Sequence, residues 1–348
     1  MERDEPTVKI VVDAMGGDNA PQVPVEASVK AVNSKDINII LTGKKELLEA
    51  ELAKYDYEKG RIEIVDCREV ITNHDEPVKA VRTKRDSSMV AAAKLLSEGK
   101  ADAMLSQGNT GALLSAGLLI VGRIKGILRP AIGTLIPTDK GPKLLIDAGA
   151  NTNCRGVNLL QFAMMGSIYM NKAEGIDNPK VGLVNNGEEE EKGTELTKEA
   201  YGLLEENKYG LNFIGNLEGR EMMEGAADVI VCDGFSGNII LKTLEGMGKV
   251  VSRNLKNIFS GGVLKTLGGL FVYGGLKDFK KKMDYREYGG APLIGLKKPI
   301  VKGHGASDVK AAYAAIVQIE KFVRNDINKE IEKMADMSKT QGKDGNVI

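Results

Sequence analysis

The stretch VKIVVDAMGGDNAPQVPVEASVKAVNSKDINIILTG (residues 8–43) decides the fold class. It opens and closes on short β-branched runs, VKIVVD (8–13) and INIILTG (37–43), with a Gly/Asn/Asp cluster and a helix-length segment between them. Near-continuous apolar runs, unlike strict alternation, indicate strands covered on both faces. The pattern continues through RIEIVDC (61–67), ADAMLS (101–106), AIGTLIP (131–137) and KLLIDAG (143–149). KVGLVNNG (180–187), LNFIGN (211–216) and ADVIVCDG (227–234) extend it. Helical patterns separate most of these runs, which predicts an α/β sheet layered between helices. Thr194 is placed to cap one helix, with Glu195 in its first turn, and Ser307 to cap a long one striped by Val309, Ala312, Tyr313, Ile316, Ile319 and Val323. No linker or repeat divides the chain, so 1–335 is read as one α/β unit and 336–348 as a disordered tail.

Composition narrows the function. Among 348 residues, 48 basic and 48 acidic side chains cancel, so no global field marks a nucleic-acid binder. Three widely spaced cysteines, Cys67, Cys154 and Cys232, show no CxxC and no adjacent histidine, and free thiols fit a reducing cytoplasm. The opening MERDEPT has no apolar signal-peptide region. The uncharged stretch 103–122 begins AMLSQGNTG and keeps too few apolar positions to span a bilayer, which takes about 20.

Several apolar runs end in polar, glycine-rich clusters: DAMGGDNAP (13–21), SQGNTGA (106–112), DAGANTN (147–153), NNGEEEEKG (185–193), GNLEG (215–219), CDGFSGN (232–238) and KGHGASD (302–308). In an open parallel sheet such loops gather at the carboxyl edge, where ligands bind. SQGNTGA, CDGFSGN and GHGASD each precede a helical pattern. Glycine admits a ligand to the backbone, and the following helix offers free N–H groups to an anion. Plain turn and capping chemistry is the commoner reading of any single one, and three together shift the balance toward a phosphate-type ligand. Nucleotide fingerprints are absent, so no cofactor is expected.

His304, between two glycines, reads either as an acid, base or donor to an anion, or as a capping histidine. His74 reads as surface loop. The run Glu188–Glu191 lacks the spaced partners of a metal site, so no metal is expected. Cys232 beside Asp233 reads as a buried thiol ahead of a nucleophile, since no histidine neighbours it to activate it. At 257–284 an apolar stretch carrying Leu264, Leu267, Leu270 and Phe271 precedes Lys277, Lys280, Lys281 and Lys282, with three Gly pairs interrupting it. Two short helices forming a tip at a membrane surface fit this pattern, as does a core or dimer-interface helix.

Taken in order, DAMGGDNAP, SQGNTGALLSAG, NNGEEEEKGTELTKEAY, FIGNLEGR, DVIVCDGFSGNIILKT, DYREYGGAPLIG and GHGASD resemble the PlsX family of acyl carrier protein-dependent phosphate acyltransferases. Asn153 stands where that family carries an acidic residue. The resemblance implies an α/β/α three-layer sandwich like isocitrate dehydrogenase and phosphate acetyltransferase, with a cleft that makes 1–335 the catalytic unit, and a homodimer. It implies transfer of a long-chain acyl group from acyl carrier protein to inorganic phosphate. The product would feed phosphatidic acid synthesis through a membrane glycerol-3-phosphate acyltransferase. It also implies a cytoplasmic protein associated peripherally with the anionic inner membrane surface, with 257–284 as the contact. Gly108, Asn109, Thr110 and Gly111 are then one phosphate cradle and Ser236, Gly237 and Asn238 another, with Asn185, Asp233 and Ser307 beside them. Lys192 or Lys242 would supply charge and His304 a donor. An acyl-CoA:phosphate transferase is the nearest alternative. A dinucleotide-dependent dehydrogenase of isocitrate dehydrogenase type lacks its metal-ligand set, and a membrane scaffold has only 257–284 in its favour.

Overall fold

In the computed structural model, which describes residues 7–259, 274–275 and 289–341, the nine apolar runs form strands. They are β1 (Val8–Asp13), β2 (Ile37–Gly43), β3 (Ile62–Asp66), β4 (Ala103–Ser106), β5 (Ala131–Ile136), β6 (Lys143–Ile146), β7 (Lys180–Val184), β8 (Asn212–Leu217) and β9 (Val229–Val231). Two more, β10 (Ala291–Ile294) and β11 (Ile300–Lys302), lie in runs too short and too broken by Pro and Gly to announce themselves.

One sheet holds all eleven in the order β3-β2-β1-β4-β11-β10-β5-β6-β9-β7-β8. It is not the uniformly parallel sheet the runs suggest. β3, β2, β1, β4 and β11 are mutually parallel, as are β6, β9, β7 and β8. Antiparallel pairings of β10 with β11, β10 with β5 and β5 with β6 turn the second block against the first. Two-sided burial of the runs reports only that helices cover both faces; it carries no information on strand direction.

The helices complete three layers. On one face lie α1 (Gln22–Ser34), α2 (Lys45–Leu52), α6 (Gly156–Glu174), α7 (Glu195–Glu205), α10 (Val309–Arg324) and α11 (Ile327–Gln341). On the other lie α4 (Ser88–Ser97), α5 (Thr110–Ala116), α8 (Gly219–Glu224) and α9 (Gly234–Phe259), while α3 (Pro77–Thr83) packs beside α5. Alternate residues divide between layers: Ile10 and Val12 of β1 face α1 and α10, and Val11 faces α4. Thr194 caps α7, its hydroxyl accepting from the Thr197 N–H at 3.3 Å. Asp308, not Ser307, caps α10: its carboxylate accepts from the Ala311 N–H at 2.9 Å. The Ser307 hydroxyl instead donates to the His304 carbonyl at 2.7 Å, because Asp308 stands one residue nearer the helix. α11 continues to Gln341, past the start of the expected tail, and 342–348 lie outside the described residues. Among the described residues no helix is long and apolar enough to cross a membrane.

Candidate active site

A cavity of about 290 Å³ opens where the two sheet blocks meet. The carboxyl ends of β4 and β11 bring Gln107, Gly108, Lys302, His304 and Gly305 to it. The loop after β6 adds Ala148, and α9 after β9 adds Asn238, Leu241, Lys242 and Glu245. Its apolar wall is Ile132, Leu135, Ala148 and Leu241, and Thr134 stands among them with its buried hydroxyl lacking a partner among the described residues.

Strand register builds the polar floor. Asp13 pairs with Ser106, Ser106 with Lys302, and Lys302 with Ala291, so four strand ends lie level. Strand alternation puts this row on the face that Val11, Met104 and Ile300 share with α4, α5 and α9. The Ser106 hydroxyl donates to Asp13 Oδ2 at 2.7 Å. Burial pushes the Asp13 carboxyl up, against hydrogen bonds from Ser88, Ser106 and the Met15 N–H and the charge of Lys302. Burial likewise pulls the Lys302 ammonium down to about 8, with Asp13 opposing. Its Nζ donates to the carbonyls of Gly303 and, at 3.4 Å, Gln107.

His304 is held beside this floor. The Ala306 N–H donates to its Nδ1 at 3.2 Å, so the neutral ring carries its proton on Nε2. Burial pulls the imidazole pKa below the ordinary histidine value; the charges of Lys242, Lys302 and Lys249 act the same way and Glu245 opposes. Lys242 Nζ lies 2.8 Å from Glu245 Oε2, a cation already paired at the cavity edge.

The structure thus gathers Gly108, Thr110, Asn238, Lys242 and His304 around one cavity. It gives other candidates bracing work. Asn109 caps α5 through the Ala112 N–H at 3.0 Å and donates to the Thr72 carbonyl at 3.2 Å. A Cβ at Gly111 would come 2.7 Å from Pro77 Cγ, so its smallness serves the α3–α5 contact. Asp233 caps α9, accepting from the Phe235 and Ser236 N–H groups at 2.9 and 3.0 Å and from the Ser236 hydroxyl at 2.8 Å. A Cβ at Gly237 would collide with the Asp147 carbonyl oxygen. Asn185 and Lys192 sit in the loop after β7, where Asn185 Nδ2 donates to the Lys192 carbonyl at 3.1 Å and the lysine Nζ is 3.9 Å from Glu189. Leu264, Leu267, Leu270 and Phe271 lie outside the described residues.

Asp13, Gln107, Thr134, Glu245 and Lys302 were missed as candidates. A signal existed for two of them: Asp13 and Lys302 each end a buried apolar run with a charge. None of the cysteines is poised to react. Burial pushes Cys232 well above its usual value, helped by Asp147 and Asp233, and holds Cys67 and Cys154 up at about 11. Among the described residues no group of three or more His, Cys, Asp or Glu side chains could hold a metal ion.

Residues 8–330 match the family model described as "Fatty acid synthesis protein". A protein of Alkaliphilus oremlandii named phosphate acyltransferase is 55% identical over 326 residues, covering 94% of this chain and 97% of its own. The chain belongs to the PlsX family of phosphate acyltransferases. Like its relatives in that family it is an enzyme, a phosphate acyltransferase. Among solved structures, a phosphotransacetylase from Streptococcus pyogenes superposes with a TM-score of 0.59 at 17% identity, covering 91% of this chain and 94% of that one. A branched-chain phosphotransacylase from Enterococcus faecalis gives 0.55 at 15% identity, covering 91% and 99%. Both likenesses concern the α/β/α sandwich alone.

Proposed function

We propose that this phosphate acyltransferase takes a long-chain acyl group from acyl carrier protein and passes it directly to inorganic phosphate, giving acyl phosphate for phosphatidic acid synthesis. The observation that carries the reading is one cavity that combines cationic and hydrogen-bonding groups with an apolar wall, while burial pushes all three cysteine thiols up, away from the reactive thiolate. A phosphate oxygen attacks the thioester carbonyl carbon, the C–S bond breaks, and the proton of hydrogen phosphate ends on the departing sulfur. Since phosphate is itself a nucleophile and a thiolate leaves readily, the protein needs only to align the two and stabilise the oxyanion. His304, protonated on Nε2 and neutral at pH 7, suits that donor role, and Asn238, Thr110 and the Gly108 backbone flank the same space.

Acyl phosphate is labile and amphipathic, which favours release at a bilayer carrying the glycerol-3-phosphate acyltransferase that consumes it. The apolar and basic segment 257–284 supports a peripheral membrane contact made by a homodimer. The test of the reaction mixes long-chain acyl carrier protein with phosphate and traps product with hydroxylamine, with acyl-CoA and NADP run in parallel. Hydroxamate from the carrier-protein thioester is expected. Product from CoA thioester alone would replace the reading with an acyl-CoA:phosphate transferase, and NADP reduction would point to a dehydrogenase.

A further inference from the structure

Two polar side chains of the cavity, Lys302 and Gln107, stand at the ends of two adjacent parallel strands. Gln107 is only 5% exposed, and its carboxamide Nε2 has no acceptor among the described residues. Its place is imposed by glycines: a Cβ at Gly303 would come 2.7 Å from Gln107 Cγ, and one at Gly17, where φ is +98°, would come 3.0 Å from Gln107 Cβ. A buried donor without an acceptor is costly, and a fold that clears room for one is holding it for something. Lys302 Nζ spends two of its three N–H donors on the Gln107 and Gly303 carbonyls, which fix it in place. Both side chains line the cavity.

We propose that Gln107 Nε2 and Lys302 Nζ together form the seat of the phosphate substrate, with Asp13 as a positioning residue behind the lysine. This rests on the acyl-transfer reading and adds to it which atoms select phosphate. Phosphate carries acceptors on every oxygen and negative charge, so it meets both the unused amide and the ammonium. Asp13 does not compete, because its oxygens accept from the Ser106 hydroxyl, Ser88 and the Met15 N–H. The other charges facing Lys302 are Asp18 and Lys242, one of each sign. Gly108, Thr110 and Asn238, which line the same cavity, are then left to the reacting carbonyl.

The experiment measures binding of inorganic phosphate to the full-length protein by titration calorimetry, and KM for phosphate and for the acyl thioester separately. Lys302→Met should weaken phosphate about thirtyfold or more, since a charge-assisted hydrogen bond is lost. Gln107→Leu should weaken it about fivefold or more, and both should leave the thioester KM within about twofold. Lys302→Arg should recover part of the loss. In wild type, phosphate affinity should fall as pH rises through about 8, where the lysine loses its proton. Unchanged phosphate binding in Lys302→Met overturns the proposal. Should that variant fail to fold, unchanged phosphate KM in Gln107→Leu, or a flat wild-type pH profile up to about pH 9.5, overturns it equally. Lys302-dependent phosphate binding in a protein that makes no acyl phosphate would sink the acyl-transfer reading and leave the seat standing.

Discussion

Burial at the carboxyl ends of β1, β4 and β11 sets the chemistry of single residues. Burial forces Asp13 and Lys302 toward neutrality from opposite directions, opposed at Asp13 first by hydrogen bonds from Ser88 and Ser106 and at Lys302 by the charge of Asp13. His304 illustrates the functional side of the same desolvation. As pH falls through its depressed pKa the ring gains a proton on Nδ1 and can no longer accept from the Ala306 N–H that positions it, so activity should hold down to below the ordinary histidine value and then drop. His304→Ala should lower kcat by about a hundredfold, as loss of an oxyanion donor does, while His304→Gln, which keeps an N–H, should recover part. A steady-state pH profile of the three proteins checks this; equal activity in His304→Ala would remove the donor role. The thiols give the converse test. With burial pushing Cys232 up and Cys154 held at about 11, Cys232→Ala and Cys154→Ala should keep most activity. A trapped acyl-enzyme on either thiol, seen by mass spectrometry, would overturn direct attack by phosphate.

At the scale of elements, two helices are aimed at the cavity by close contacts beneath them. The first turn of α9 rests on the Asp147 carbonyl at Gly237, and the Asp147 carboxylate ties down its own loop. It accepts from the Ile132, Gly149, Ala150 and Asn151 N–H groups at 2.7–3.2 Å and from Asn151 Nδ2 at 2.9 Å. Asp147→Ala leaves those donors buried without an acceptor and should destabilise by about 3 kcal/mol or more in urea denaturation. A change under about 1 kcal/mol would show that water replaces the carboxylate. Gly111 behaves differently from a phosphate-contacting glycine. Gly111→Val drives atoms into Pro77 and should lower stability by about 1–3 kcal/mol through the α3–α5 contact, visible as a lower Tm. An unchanged Tm with a raised phosphate KM would return Gly111 to the phosphate cradle.

For the molecule as a whole, segments from both blocks line one cavity although strand direction reverses between them, so loops from distant parts of the chain share it. Access to a bilayer is the other molecular-scale question. In the segment 257–284, burying about three of Leu264, Leu267, Leu270 and Phe271 in lipid would contribute roughly 5–9 kcal/mol, and each nearby lysine about 1 kcal/mol on an anionic surface. Ordering a glycine-rich tip offsets part of this, so reversible attachment is expected, tighter for two tips facing one plane. Wild type should co-sediment with anionic liposomes and Leu267→Glu, Phe271→Glu should not, with soluble activity retained. Equal sedimentation of the two proteins would assign the segment to an interface or core.

The apolar runs by themselves determined nine of the eleven strands and, with the helical patterns between most of them, the layered class, because two-sided burial leaves its mark as near-continuous apolar runs. The motif order carried the family. β10 and β11 escaped, being three or four residues long beside Pro and Gly, and with them went the antiparallel join and the direction of the second block. Loop clusters such as SQGNTGA and CDGFSGN pointed to the right ends of strands, yet a glycine needed for Pro77 or for the Asp147 carbonyl looks the same as one needed for a ligand. Asp13, Ser106 and Lys302 lie far apart in the chain, and only hydrogen-bond register sets them level. Register is a property of paired strands, so the desolvation that tunes Lys302 and leaves the Gln107 amide buried without an acceptor exists only once the sheet has formed.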